Sequence, residues 1–185
     1  MIEIRVDKKA IRRAEKLLRN IPNGTQKAIV NATNRALTKG RMVVNRGITS
    51  RFTIKATQVK ESLSIQKASF SRLGGLVKSN APVTELSRFK VTPNKVTKKK
   101  PNTLKVDVKK SGFKAIPHAF IMQTKSGHTG VFERIGKART PVKQLMGPSI
   151  PYMAKDPQIA SDVQKEMVNM FNSRLDHEVK RLLKK

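Results

Sequence analysis

Cysteine and tryptophan are absent from this 185-residue chain, tyrosine occurs once, and aromatic residues make up only 4% of it. The lack of cysteine excludes disulfide bonds and thiolate metal sites, and it fits a reducing compartment. Because aromatic side chains are scarce, the hydrophobic core has to be built from Ile, Val, Leu, Met and Ala. We expect the stability of such a core to depend in part on partner subunits.

Long apolar runs are also missing. No segment approaches the roughly 20 apolar residues that a membrane-spanning helix needs. The N-terminus, MIEIRVDKKA, lacks the apolar region of a signal peptide. We therefore expect a protein that is made and used in water and that has no membrane partner.

Acidic residues are few, since 12 Asp and Glu oppose 40 Lys and Arg, for a formal net charge of +28. Such a chain repels itself, which predicts an anionic partner. The excess lies in two blocks: residues 1–60 hold 15 Lys and Arg against 3 acidic residues, and residues 86–155 hold 16 against 2. Either the blocks are a solvated surface, or they converge on one anionic partner while the nearly neutral C-terminus packs on protein.

Residues 7–63 form the predicted helical part. Apolar residues recur at helical spacing up to Pro22, which ends the first helix. A second helix is predicted over about 26–48 and is expected to lie across a sheet, with Gly40 a weak spot that costs about 1 kcal/mol relative to Ala. Thr53 is expected to cap a third, shorter helix.

Residues 64–135 change to a period of two and predict an antiparallel sheet of about five strands. Its clearest strand alternates Leu104, Val106 and Val108 with Lys105, Asp107 and Lys109, so one face is buried and the other is basic. Two further strands, 119–122 and 131–134, flank a hairpin turn. Residues 1–6 alternate as well and predict an N-terminal arm or edge strand.

Residues 136–155 read as a Pro/Gly-rich loop without a helical or strand period. Asp156 and Pro157 then begin a C-terminal helix over 156–185, which exceeds what the core of one small domain needs. Part of its apolar stripe is therefore expected to pack on another subunit. The predicted fold is a single α+β domain over residues 1–185, with N-terminal helices on one face of the sheet and a long C-terminal helix.

The sequence carries no recognisable catalytic constellation, so we expect neither an enzyme nor a cofactor or metal. Its histidines have no metal-ligand spacing, with His128 in the hairpin turn the best candidate. Asp107 and Lys109 match part of the carboxylate-x-lysine pattern of some nucleases, which needs a second carboxylate such as Glu85 or Glu133. Three such residues also occur by chance in many basic strands.

Residues 92–102, TPNKVTKKKPN, read as an exposed basic loop that either touches DNA or is simply solvated. Zinc ligands, basic-region heptads and paired stacking aromatics are absent from the sequence. A sequence-independent nucleic-acid-binding protein of the ribosome-associated or nucleoid type nevertheless remains the alternative function, because net charge alone favours it.

A resemblance to a known family lies in the order of several motifs. These are Arg51-Phe52-Thr53-Ile54-Lys55, Ser87-Arg88-Phe89, Val131-Phe132-Glu133-Arg134, Lys137-Ala138-Arg139-Thr140-Pro141-Val142 and Leu145-Met146-Gly147-Pro148-Ser149-Ile150-Pro151. In this order the chain resembles the minor tail protein Z family, the tail completion proteins of long-tailed phages and prophages. The similarity runs from the second predicted helix to Tyr152.

The resemblance implies a structural virion protein at the head-proximal end of the tail, assembled in the host cytoplasm and needed for head joining and DNA positioning. It implies tail and neck partners, namely the tube, terminator and tape measure proteins, and contact with the phage DNA end through phosphates. By analogy it implies a homo-oligomeric ring of six subunits that matches the tube.

The predicted contact residues for DNA or a neighbouring subunit are cations in two segments. They are Arg134, Lys137, Arg139 and Lys143, together with Lys98, Lys99 and Lys100. Cations on a constrained loop lose less entropy on binding than cations on a flexible one. A local role competes with this one, in which Arg134 and Arg139 pair with Glu133 or with carbonyl groups of their own subunit.

Overall fold

The computed structural model describes residues 2–3, 8–96 and 103–184. The helices in these ranges are α1 (Lys8–Leu17), α2 (Gly24–Arg51), α3 (Ala56–Ser62), α4 (Ile150–Ala154) and α5 (Pro157–Leu183). None of these five helices is long and apolar enough to cross a bilayer.

The strands are short, and every pairing between them is antiparallel. They are β1 (Ile2–Glu3), β2 (Leu63–Gln66), β3 (Leu76–Ser79), β4 (Thr84–Glu85), β5 (Lys90–Thr92), β6 (Leu104–Asp107), β7 (Lys114–Ile116), β8 (Ala119–Gln123), β9 (Thr129–Arg134), β10 (Val142–Gln144) and β11 (Met146–Gly147). They form four small sheets with the strand orders β1-β3-β2, β11-β4, β5-β6-β7 and β10-β9-β8.

The predicted α+β class is confirmed, with helices at the N-terminus and one long helix at the C-terminus. The arrangement of the strands differs from the single sheet of about five that the sequence predicts. No described strand exceeds six residues, and Pro82 and Pro93 interrupt the connections between them. Since proline cannot donate to a strand ladder, the strands form small groups instead of one continuous sheet.

Helices α2 and α5 pack antiparallel along their whole length. Asn31 Nδ2 donates to Glu178 Oε2 at 3.1 Å near one end, and Arg51 Nη1 lies 2.8 Å from Asp156 Oδ1 at the other. The apolar residues that α5 buries between these two contacts are Ile159, Val163, Met167, Phe171 and Leu175, and Val179 follows just beyond.

This pairing corrects two expectations from the sequence. Helix α2 lies mainly against α5 rather than across a sheet, and the apolar stripe of α5 is buried within its own chain rather than left for another subunit. The reason is that α2 has 28 residues and α5 has 27, so two stripes of matching length cover each other.

Gly40 lies on the side of α2 that faces Met167 of α5. A Cβ atom there would lie 2.5 Å from Met167 Sδ and 2.8 Å from Met167 Cγ. The missing side chain therefore lets Met167 pack directly on the backbone of α2. Gly40 is a packing position and not only a weak spot in the helix.

Two hydrophobic clusters hold the chain together. The smaller one joins α1 to the first half of α2 and the second half of α5. The larger one continues from the remaining halves of these helices into the strands, where Val91, Leu104, Val106 and Val131 are buried in it. We call the four sheets together, β1 to β11, the strand layer. It packs on one end of the α2–α5 pair through its inner faces, and its outer faces stay exposed.

Thr53 was predicted to cap α3, and this prediction is wrong. Helix α3 begins at Ala56 after Lys55, which makes no side-chain cap. The Thr53 hydroxyl instead donates to the carbonyl oxygen of Asp107 and accepts from the Lys90 N–H at 3.1 Å. Thr53 therefore ties the end of α2 to the β5-β6-β7 sheet, because two backbone groups there offer it better partners than its own helix.

The segment 136–155, predicted as a loop, contains β10, β11 and α4. The two strands have only 3 and 2 residues and owe their structure to pairing with β9 and β4, so they produce no period in the sequence. Helix α4 begins at Ile150, where the hydroxyl of Ser149 accepts from the Tyr152 N–H at 3.3 Å.

Candidate functional site

We define the basic hairpin as β9, β10 and the connecting residues 135–141. The register of the two strands pairs Arg134 with Val142 and Glu133 with Lys143, and the Ile135 N–H donates to the Pro141 carbonyl at 3.2 Å. Every residue from 134 to 141 is exposed. The structure therefore brings four of the predicted contact residues, namely Arg134, Lys137, Arg139 and Lys143, onto one solvent-facing hairpin.

None of these four cations forms an ion pair with the described residues. The guanidinium of Arg134 lies 5.4 Å from the centroid of the Phe120 ring on β8, which orients it by a cation–π contact. Lys143 lies directly opposite Glu133 without an ion pair. The local alternative, in which Arg134 and Arg139 are neutralised within the subunit, is not seen in this part of the structure.

A polar cluster holds the base of the basic hairpin. Glu85 on β4 lies 3.8 Å from Arg88 Nε and 3.6 Å from His128 Nε2, and the same His128 nitrogen is 3.1 Å from Gln144 Nε2. His128, the best metal-ligand candidate in the sequence, thus has structural partners on β4 and β10. These contacts fix the direction in which the hairpin leaves the strand layer.

A second basic region covers the β5-β6-β7 sheet and its turns. We call it the lysine surface and define it as Lys90, Lys105, Lys109 and Lys110, all of which are exposed. The sequence predicted the basic side of β6, and the register adds Lys90 to it because Lys90 pairs with Asp107, whereas Lys114 pairs with Val106 and lies on the opposite side of the sheet. Lys98, Lys99 and Lys100, which precede β6, lie outside the described residues.

Acidic residues are engaged mainly between the helices. Burial works to raise the pKa of Glu178, but hydrogen bonds from Asn31 and Arg181 and the charges of Arg174 and Arg181 outweigh it and leave this pKa below its ordinary value. Some cations of α2 and α5 are thereby neutralised, whereas among the described strands and their connections Arg88, paired with Glu85, is the only Lys or Arg in an ion pair.

Asp156 behaves in the same way at the start of α5. Burial works to raise its pKa, but the Ile159 N–H, the charge of Arg51 and the Gln158 N–H together hold that pKa below its usual value. The same carboxylate is the predicted N-cap of α5, accepting from both N–H groups. Asp156 thus begins α5 and joins it to α2.

The carboxylates that a metal-dependent nuclease would need are not brought together. Asp107 lies in the β5-β6-β7 sheet, Glu85 in the β4-β11 sheet and Glu133 in the β8-β9-β10 sheet. Among the residues with a described placement, no group of three or more His, Asp and Glu is arranged to hold a metal ion.

The residues that carry the family resemblance have structural roles at the end of the strand layer. A Cβ atom on Gly147 would lie 2.6 Å from Phe89 Cε2, so only glycine lets this ring pack on β11. Ser149 caps α4, and Ile150 is buried in the larger cluster. This motif determines the path of the backbone between the basic hairpin and α5.

Comparison with known proteins agrees with these observations. A family model described as prophage minor tail protein Z (GPZ) matches residues 4–185. Comparison with curated proteins and with solved structures found no similar protein. Because the match spans nearly the whole chain, including both basic surfaces, the chain belongs to the prophage minor tail protein Z family and is a phage tail protein.

Proposed function

We propose that this protein completes the phage tail at its head-proximal end, so that the tail can join a filled head and the DNA end can be positioned. The observation that carries the proposal is the family match over residues 4–185, combined with two unneutralised basic surfaces. A protein that connects other virion proteins needs rigid binding surfaces rather than a reaction centre. The described chain offers such surfaces.

In this proposal the protein acts as a ring of identical subunits, six to match the tube, and contacts the tube, terminator and tape measure proteins. Rings arise when one surface of a subunit binds a different surface of the next and the rotation closes. The exposed side of α5, a helix in which four acidic and four basic residues balance, and the basic hairpin are two such different surfaces. The mature location is the head-proximal end of the tail, after assembly in the host cytoplasm.

The basic hairpin is the proposed contact with a neighbouring subunit or neck protein. Its four cations are unpaired, and Ile135 between them is 67% exposed. Arginine and exposed apolar residues are enriched at the centres of protein interfaces, whereas lysine is depleted there. An acidic surface with an apolar depression at its centre would complement this hairpin.

The proposal is tested by complementing a phage that lacks this protein. A variant with Arg134, Lys137, Arg139 and Lys143 each changed to Glu should yield tails that fail to join heads productively. In the matched control, Arg12, Arg13 and Lys16 on α1 and Arg19 just after it are changed to Glu, which alters the net charge equally. Electron microscopy of tails and heads, with DNA delivery to host cells, reports both steps.

The outcomes separate the possibilities. Loss of joining in the hairpin variant alone supports the assignment. Normal joining in both variants, or equal loss in both, would remove the basic hairpin from the proposal. Normal particles without any copy of the protein, with the chain instead following ribosomes or bulk DNA, would refute the tail completion role and favour the alternative of a sequence-independent nucleic-acid-binding protein.

A further inference from the structure

The lysine surface differs from the basic hairpin in composition and in surroundings. Residues 90–116 contain nine lysines, no arginine and a single acidic residue, Asp107. In the described part of this range no lysine forms an ion pair. A concentration of unpaired positive charge this dense costs free energy through mutual repulsion, and an anionic partner relieves that cost.

The register of the sheet explains why the charge is presented outward. Lys90 pairs with Asp107 across β5 and β6, and continuing the β6–β7 register places Phe113 on the far side of Asp107. The Lys90 ammonium group lies 5.3 Å from the centroid of the Phe113 ring. The side chains on either side of Asp107 therefore meet above it and cover it. Lys105, two residues before Asp107 on β6, projects from the same face.

Asp107 does not neutralise the surface. It is only 8% exposed, its Oδ1 atom is buried without a hydrogen-bond partner, and no lysine with a described placement forms an ion pair with it. The acidic charge is thus covered by the row of Lys90 and Phe113 while the ammonium groups remain accessible. Lys109 and Lys110, in the turn that follows, extend the same positive region beyond the sheet.

The chemistry of this surface fits a polyphosphate better than a protein. Lysine is depleted at protein interfaces, and it binds phosphate groups as a compact point charge on a flexible stem, without the planar, bidentate geometry of arginine. In the described part of this sheet and its turns the exposed large apolar residues are Val96 and Phe113, one in each connection, and the Lys90 ammonium group lies over the Phe113 ring. A protein interface would call for an apolar centre, which the basic hairpin has in Ile135.

We propose that the lysine surface binds the phosphate backbone of double-stranded DNA without reading its sequence, while the basic hairpin binds protein. This inference rests on the proposed function, in which the ring lies on the path of the DNA. Phosphate contacts of this kind are weakened by salt, because each neutralised phosphate releases counterions and contributes about −0.9 to the slope of log K against log [salt].

The test compares two variants of the full-length chain with equal charge. In one, Lys90, Lys105, Lys109 and Lys110 are changed to Gln, and in the other Arg134, Lys137, Arg139 and Lys143 are changed to Gln. Binding to a labelled duplex of mixed sequence, about 30 base pairs long, is followed by fluorescence anisotropy between about 50 and 300 mM NaCl. Circular dichroism confirms that both variants are folded.

We expect the lysine-surface variant to reduce the magnitude of the salt slope by about 2 to 4 and to bind at least about tenfold more weakly at the lower salt. The hairpin variant should keep its slope to within about 1. Equal losses in the two variants, a larger loss in the hairpin variant, or an unchanged slope in the lysine-surface variant would overturn the inference.

A second measurement keeps this inference separate from the proposed function. The lysine-surface variant should still enter purified particles, because the protein contacts are assigned elsewhere, and those particles should deliver DNA poorly. A variant that binds duplex DNA normally but is missing from particles would show that the lysine surface binds protein instead. Duplex binding by the purified chain does not depend on tail assembly, so it is informative even where complementation fails.

Discussion

Glu178 shows at the level of one residue how the helix pair depends on charge. Its side chain has no exposed surface, and it is reached by Arg174 at 2.7 Å, Arg181 at 2.6 Å and Asn31 at 3.1 Å. A buried carboxylate is stable only when its partners replace the water it has lost. Three partners from two helices do so here, which makes Glu178 a connection between α2 and α5.

Acid should therefore weaken the fold through this residue. Because the folded-state pKa of Glu178 lies below its ordinary value of 4.5, its stabilisation is complete at neutral pH and is lost as the pH falls below 4.5 and through the folded-state pKa. We expect Glu178→Gln to lower the free energy of unfolding at pH 7 by about 1–3 kcal/mol and to lessen the further loss in acid. Urea unfolding from pH 7 to pH 3 measures both.

The matched control for this prediction is Asp176→Asn, since Asp176 lies two residues earlier on the same helix and is exposed. Its unfolding curve should follow that of the unchanged chain at every pH. Part of the decrease in the free energy of unfolding at low pH should persist in Glu178→Gln, because Asp156 also has a lowered pKa. An unfolding free energy that is independent of pH in the unchanged chain would contradict the prediction.

Thr53 shows which hydrogen bonds cannot be predicted from the sequence around a single residue. Threonine before a helical stretch is a reasonable cap, but its hydroxyl bonds a carbonyl group 54 residues away. Asp156, by contrast, was predicted correctly, because its partners are the N–H groups of the next two to three residues. Local hydrogen bonds can be predicted from the order of residues, whereas distant ones require the fold.

At the level of elements, α2 and α5 could be predicted from their apolar periods, and the start of α5 from its cap and first-turn proline. Their pairing could not be, since an apolar stripe does not specify what covers it. The short strands β10 and β11 escaped prediction for a similar reason, because each exists only through its partner. The four hairpin cations could therefore be named in advance, but the hairpin that presents them could not.

Gly40→Ala should destabilise the helix pair, although alanine favours helix formation by about 1 kcal/mol over glycine. The new Cβ would overlap the buried side chain of Met167, and such overpacking costs about 1–3 kcal/mol. We expect a net loss of about 1–2 kcal/mol in the free energy of unfolding. Chemical denaturation of the variant, at constant m-value, measures it.

A double-mutant cycle identifies the cause of that loss. Met167→Ala alone should cost about 2–5 kcal/mol through the cavity that it leaves. Combined with Gly40→Ala, it should cost clearly less than the sum of the two changes, because the added methyl group then enters free space. Additive losses would mean that Gly40 does not act through Met167.

At the level of the whole molecule, charge is divided between the two layers. Ion pairs link α2 to α5 through Lys39 with Glu166 and through Arg51 with Asp156, while the lysine surface and the basic hairpin have none. The sequence showed two basic blocks but could not show which of their cations are paired. Residues 63–147, which include all strands of the strand layer after β1, carry about half of the net charge, with 18 Lys and Arg against 3 acidic residues, and that layer is where we place both partners.

Salt should stabilise the isolated protein, because screening weakens the repulsion that accompanies a net charge of +28. Raising NaCl from about 20 to 500 mM should increase the free energy of unfolding by about 1 kcal/mol or more, which corresponds to about 2–4 °C in Tm. Thermal unfolding at several salt concentrations measures this. The variant with four lysines changed to Gln should gain less, and a Tm that falls with salt would contradict the argument.

The antiparallel pairing of α2 with α5 also constrains when the chain can fold during synthesis. Arg51 and Asp156 are 105 residues apart. At about 5–20 residues per second, a ribosome needs roughly 5–20 s to make the intervening chain. Throughout that interval the apolar side of α2 has no cover, so we expect chaperones to occupy it. We then expect that no partly synthesised copy enters a growing tail. A chain truncated before α5 should be degraded by proteases instead of being assembled.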